Sequence, residues 1–247
     1  MTKRSNNILV IQARTNPSVL KEEQEIMNQI AQMAGVTFAY ANPLDMNSLT
    51  PWKNPKQLIN QFGGTIWLGT SDMDHSLPTE LNKLFLNRTM PLASRIIEND
   101  EPALGICFGH QTLALAAGGI VERSLNQAET GTTIVHIKQQ DPLFNELPEK
   151  GFKMVFGHKD SVTKLPKGAI VIGETLRDPH SALRIGKRIT TFQGHPEIMD
   201  ISRLQRAVEV SKTSTLGHYA TTYSLEKPDN TGIIITNFAK SVVNNDI

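Results

Sequence analysis

Cys107 is the only cysteine among 247 residues, and it sits in Leu104-Gly-Ile-Cys-Phe-Gly-His-Gln111. A Gly-x-Cys-x-Gly run between an apolar stretch and a helical one has the layout of a nucleophile elbow, with sulfur in place of a serine oxygen. Gly105 and Gly109 lack a Cβ, so the chain can turn sharply and the following helix can pack close to the strand. Such a turn pushes the side chain out at the C-terminal edge of a sheet, where α/β proteins bind ligands. A helix N-terminus beneath a thiol favours the thiolate, and the next backbone N–H, on Phe108, points toward a developing oxyanion. Without that setting a lone cysteine is usually a small buried apolar residue.

A thiol nucleophile needs a base to take and return its proton, and the base needs a third group to hold its ring. Thr190-Thr-Phe-Gln-Gly-His-Pro-Glu197 offers both. Pro196 biases His195 toward extended backbone, and residues two apart in an extended stretch point the same way. Glu197 can then lie beside the His195 ring and accept its other N–H. Taken alone, His-Pro-Glu reads as a surface turn; taken with the elbow, it reads as base and orienter.

The elements that must position these groups alternate in the first half of the chain. Apolar runs at 8–12, 36–40, 65–68 and 103–106 are strand candidates. Between them, 18–32, 54–61 and 80–99 carry helical spacing, and a helix begins at Gln111 and closes at Gly118-Gly119. Strand and helix in alternation imply crossovers and a parallel sheet. The second half reads differently, with strand candidates at 133–137, 152–156, 169–173, 182–185 and 189–193 and little helix between. A helix at 201–211, a strand at 232–236 and a closing helix from Asn237 complete the expectation. The whole, residues 1–247, reads as one domain with a parallel α/β core and an antiparallel extension.

Composition excludes several classes. Lys and Arg number 25 against 24 Asp and Glu, a net charge of +1, which argues against a bulk electrostatic nucleic-acid binder. One cysteine excludes a disulfide framework and a Cys-cluster metal site. No run approaches the roughly 18 apolar residues of a membrane helix, and the Ile8–Ile11 run is too short for a signal peptide. A cytoplasmic protein with no membrane partner is expected. No P-loop, His-Glu-x-x-His or dinucleotide fingerprint is present. Asp72-Met-Asp-His75 lacks the later Gly and Glu of a calcium loop and reads as a solvated loop.

The two motifs, in this order, resemble the class I glutamine amidotransferase superfamily, whose members carry a Cys-His-Glu triad. The resemblance also takes in Leu115-Ala-Ala-Gly-Gly119, Gly157-His-Lys-Asp-Ser-Val162, Leu165-Pro-Lys-Gly168 and Ile235-Thr-Asn-Phe238. It is nearest to stand-alone domains similar to the glutaminase part of GMP synthase and to γ-glutamyl peptidases. It implies a flavodoxin-like fold, with a mostly parallel central sheet flanked by helices. It implies Cys107 as nucleophile, His195 as general base and acid, and Glu197 as the residue orienting His195. It places an oxyanion hole at the Phe108 N–H and near Gly69, and a substrate site at Gln111, Gly69 and Thr70. Members commonly have Gly-Gly-Pro or Gly-Ser-Pro after the third strand; this chain has Leu68-Gly-Thr-Ser-Asp72. His158 and Asp160 read as structural rather than catalytic. The implied reaction needs no cofactor. Its substrate is glutamine or a γ-glutamyl amide, and a synthetase partner chain would accept the ammonia. A stand-alone γ-glutamyl hydrolase and a catalytically silent module of the same fold are the alternatives.

Overall fold

The computed structural model describes residues 6–45, 52, 54–200, 202, 223–224 and 226–246. The first half is β1 (Asn7–Ile11), α1 (Pro17–Ala34), β2 (Thr37–Ala41), α2 (Pro55–Ile59), β3 (Gly64–Trp67), α3 (Glu80–Asn99), β4 (Ala103–Ile106) and α4 (Phe108–Ala116). The second half is β5 (Ile120–Arg123), β6 (Glu129–Ile137), β7 (Gly151–His158), β8 (Asp160–Lys164), β9 (Ile170–Glu174), β10 (Ala182–Ile185), β11 (Ile189–Phe192), β12 (Tyr223–Ser224) and α5 (Gly232–Asn244).

Strands β2-β1-β3-β4-β11 lie side by side and parallel. The same sheet continues through β10, β9 and β6 in antiparallel pairings, with β7 hydrogen-bonded along β6. Strands β5 and β8 form a separate antiparallel pair. The mostly parallel sheet with an antiparallel extension is the architecture that the sequence implied.

Alternation along β1 explains the layering. Ile8 and Val10 enter one core with Met27 and Ile30 of α1 and Ile234, Ile235, Phe238 and Val242 of α5. Leu9 and Ile11 enter the other with Leu58 of α2, Leu92 and Ile96 of α3, and Leu113 of α4. Both faces of the parallel strands are therefore covered, as a sheet built from crossovers requires. Burying each such Ile or Leu stabilises the fold by about 1.5–3 kcal/mol. Local chemistry sets the helix ends. Asn16 caps α1 through the Ser18 N–H, and Gly35, at φ 69°, ends it. Thr79 caps α3 through the Asn82 N–H. Asp100, at the far end of α3, accepts from the N–H groups of Lys187 and Arg188 (each 3.1 Å) and ties α3 to the turn before β11.

Three expectations need correction. Helix α4 starts at Phe108, three residues before Gln111, because the Cys107 carbonyl already accepts the Gln111 N–H (3.1 Å). The segment 232–236 is the first turn of α5, not a strand. Its three isoleucines have the β-branched character of a strand, but Ile234 and Ile235 share a face with Phe238, Ala239 and Val242. Strands β5 and β8 were not expected at all. The helix expected over 201–211 lies outside the described residues except for Ser202.

Candidate active site

Because β3, β4 and β11 are parallel neighbours, their C-terminal ends open at one rim. Gly69 follows β3, Cys107 follows β4, and His195 follows β11. Cys107 occupies φ 51° and ψ −105°, backbone that a residue with a Cβ adopts only under strain. The surroundings hold it there. Its N–H donates to the Phe192 carbonyl (2.8 Å), and α4 begins at the next residue. A Cβ on Gly109 would overlap the Trp67 carbonyl at the end of β3, so α4 can lie this close only with glycine there. The Phe108 N–H belongs to the first turn of α4, where no intrahelical acceptor exists.

His195 is fixed from three sides. Its N–H donates to the Val155 carbonyl of β7 (2.7 Å). Its ring Nδ1 lies 2.8 Å from Glu197 Oε1. The Pro196 carbonyl accepts from Thr231 Oγ1 (3.0 Å) at the start of α5. The imidazole and the thiol lie side by side, both bordering Gly69.

The two groups tune one another. Burial pushes the Cys107 thiol up, but the neighbouring His195, with a smaller contribution from His158, outweighs it and holds the thiol below its ordinary value. Burial pushes His195 down, but the Glu197 carboxylate and the Cys107 thiolate outweigh it and hold the imidazolium well above the ordinary histidine range. Both shifts favour the form with a thiolate on Cys107 and an imidazolium on His195, and the Glu197 carboxylate favours the positive charge on the ring.

Gly69 packs directly against both. A Cβ on it would lie 2.8 Å from His195 Cε1 and 3.0 Å from Cys107 Cβ. Thr70, the next residue, accepts the Asp72 N–H on its Oγ1 (3.0 Å). Gln111 is on the elbow helix and buried, but its amide nitrogen donates to the Asp160 carbonyl (2.7 Å) and to Gln193 Oε1 (3.1 Å). Its side-chain carbonyl oxygen is the group left to meet a substrate, while the amide nitrogen ties α4 to β8 and to Gln193. Gln193, which no motif singled out, also reaches the site: its Nε2 lies 3.8 Å from Cys107 Sγ, from the bend that follows β11.

The segment 72–75 is not the solvated loop that its polar residues suggested. Asp74 pairs with Arg123 (2.7 Å). The His75 ring stacks on Phe108 at 4.0 Å, with its Nε2 3.1 Å from Thr112 Oγ1. Burial lowers His75 to about 4, so the ring is neutral. Asp160 takes the N–H and Oγ of Ser76, each at 2.7 Å. His158 is buried behind Gly157, with its Nε2 3.6 Å from Glu129 Oε2. Asp160 thus locks the loop to β8, while His158 joins β7 to β6. Among the described residues no cluster of three or more His, Cys, Asp or Glu is placed to hold a metal ion.

This chain matches the glutamine amidotransferase class-I family over residues 78–209, more than half of its length, and it belongs to that family. A GMP synthase [glutamine-hydrolyzing] of Thermosipho africanus is 42% identical over 125 residues, which are 49% of this chain and 24% of that protein. The chain thus spans about a quarter of that curated relative. A solved glutamine amidotransferase from Thermotoga maritima superposes with TM-score 0.69 at 21% identity, covering 96% of this chain and 97% of the other. Another, from Methylobacillus flagellatus, superposes with TM-score 0.66 at 18% identity, covering 98% and 93%. At these identities the two structures speak for the fold.

Proposed function

We propose that the chain hydrolyses the γ-amide of glutamine through a thioester on Cys107 and delivers the ammonia to a separate synthetase chain. The observation that carries this reading is the convergence at one rim of Cys107, in its strained elbow, with His195 bonded to Glu197 at 2.8 Å. The Cys107 thiolate adds to the amide carbonyl carbon, and the negative charge moves to the oxygen. The Phe108 N–H and the Gly69 backbone receive that oxyanion. The C–N bond breaks as the His195 imidazolium gives its proton to the leaving nitrogen, which departs as ammonia and leaves a thioester and a neutral imidazole. Water then adds to the thioester while His195 takes its proton. Collapse expels the thiolate and releases glutamate, and the imidazolium is restored. Glu197 keeps the ring in register through both halves and stabilises its charge.

Similarity to the glutamine-hydrolysing GMP synthases supports a synthetase as the acceptor of the ammonia. The near-neutral charge of the chain and the absence, among the described residues, of a helix able to cross a membrane fit a small-molecule enzyme in the cytoplasm. The test is glutamate release by the purified protein, alone and with a synthetase chain added. Glutamate released from glutamine and enhanced by the synthetase is expected. Cys107→Ala should abolish turnover with the fold intact. Full activity in that variant overturns the assignment, and cleavage of γ-glutamyl peptides in preference to glutamine replaces it with a stand-alone hydrolase.

A further inference from the structure

Gly69 has no side chain by which to be held, yet its fit is tight. A Cβ there would lie 3.6 Å from Cys107 Sγ and closer still to His195. The residues after it are fastened instead. Asp72 Oδ2 accepts both the N–H (2.7 Å) and the Oγ1 hydroxyl (2.6 Å) of Thr15. Ser71 Oγ accepts from Arg14 Nη1 (3.0 Å). Arg14 Nε donates to Glu23 Oε1 of α1 (2.7 Å), with the two side chains only 13% and 14% exposed. Gln12 Nε2 donates to the other Glu23 oxygen (3.1 Å).

Topology brings these partners together. Strands β1 and β3 are parallel neighbours with Ile11 beside Trp67, and the Leu68 N–H still donates to the Ile11 carbonyl (3.0 Å). The loops after the two strands therefore leave the sheet together, one carrying Arg14 and Thr15, the other Gly69 to Asp72. The rigid fork of an arginine can grip two elements at once, and here it bridges α1 and the Gly69 loop. The family match begins at residue 78, past both loops.

We infer that Arg14 and Asp72 are positioning residues for the reaction at Cys107, clamping the Gly69–Asp72 loop to the loop after β1 and to α1. The clamp sets the distance from the Gly69 backbone to the thiolate and the imidazolium. This deepens the thioester reading above and rests on it. Catalysis by an oxyanion donor depends on close placement, and a loop that leaves its strand through a glycine would otherwise sample many conformations.

The test compares wild type with Asp72→Ala and Asp72→Asn. In Asp72→Ala, amide hydrogen exchange in a peptide covering 66–75 should quicken. The kcat for glutamine hydrolysis should fall at least about 10-fold, toward the 10²–10³ lost with an oxyanion donor, with KM little changed. Alkylation of Cys107 by iodoacetamide forms no oxyanion, so its rate should stay at the wild-type value. Asp72→Asn keeps an acceptor oxygen and should recover most of the activity. If Asp72→Ala does not fold, Thr15→Val removes one of the two donors and serves in its place. Unchanged exchange overturns the clamp, as does unchanged kcat or an alkylation rate that falls in step with kcat. A wild-type protein that releases no glutamate refutes the thioester reading instead, and the exchange comparison still decides the clamp.

Discussion

At the scale of single residues, the opposite shifts of Cys107 and His195 have a direct consequence for pH. The thiolate exists above the Cys107 pKa, which is lowered, so the acid limb of kcat/KM should fall below the ordinary thiol value of about 8.5. The imidazolium is lost above the His195 pKa, which is raised, so the alkaline limb should lie above the ordinary histidine value of about 6.5. Activity should be bell-shaped between them, and the two limbs belong to the pair rather than to either group alone. Glu197→Gln removes a carboxylate that favours the imidazolium, so its alkaline limb should move to lower pH. Initial rates across pH for both proteins check this. Of these groups, Cys107, His195 and Glu197 stood out in the sequence because each lies in a short motif with a chemical rationale. Gln193 and Arg14 did not, since what makes them matter is a neighbour far along the chain: the Cys107 sulfur for one, Ser71 for the other.

At the scale of elements, the packing of α4 on β3 turns on one missing methyl group. Gly109→Ala sets a Cβ against the backbone of Trp67, which cannot swing aside as a side chain could. Overpacking of this kind costs about 1–3 kcal/mol, so the urea midpoint should drop, and Cys107 should shift with the helix and lose turnover. A denaturation curve and a glutaminase assay on the same preparation check both. The elements themselves were unequally legible. Helix α3 was readable from Glu80 to Asn99 because helical spacing runs its full length. The start of α4 was hidden because Cys107 caps it with no side-chain hydrogen bond, so no capping residue signals the boundary. The first turn of α5 misread as a strand because consecutive isoleucines suit both states, and only the longer face ending at Val242 decides between them. Strand β5 is half-exposed and short, and its pairing with β8 depends on a partner about forty residues away, which local pattern does not reveal.

At the scale of the whole molecule, the last described helix closes the first core. Phe238 is fully buried against residues that come from β1, α1 and the sheet beyond. Phe238→Ala should cost about 3–5 kcal/mol, a large share of the 5–15 kcal/mol that holds a typical domain together. Thermal unfolding should show it as a markedly lower Tm. The same helix start anchors the His195 segment through Thr231, so the variant's residual activity should decline at temperatures where wild type still turns over. The layered plan was visible in the alternation of strands and helices. The order of strands was not, because β11 inserts beside β4 from the far end of the chain, and no local pattern specifies that neighbour.

The environment that favours a thiolate at Cys107 also favours its oxidation by peroxide to a sulfenic acid wherever peroxide reaches it. A sulfenic acid is reversible and condenses with a second thiol to a disulfide. The 247 residues hold no second thiol, so reduction of such a sulfenic acid would need a thiol from another molecule. Exposure to oxidants would therefore silence this enzyme for as long as reductant is scarce.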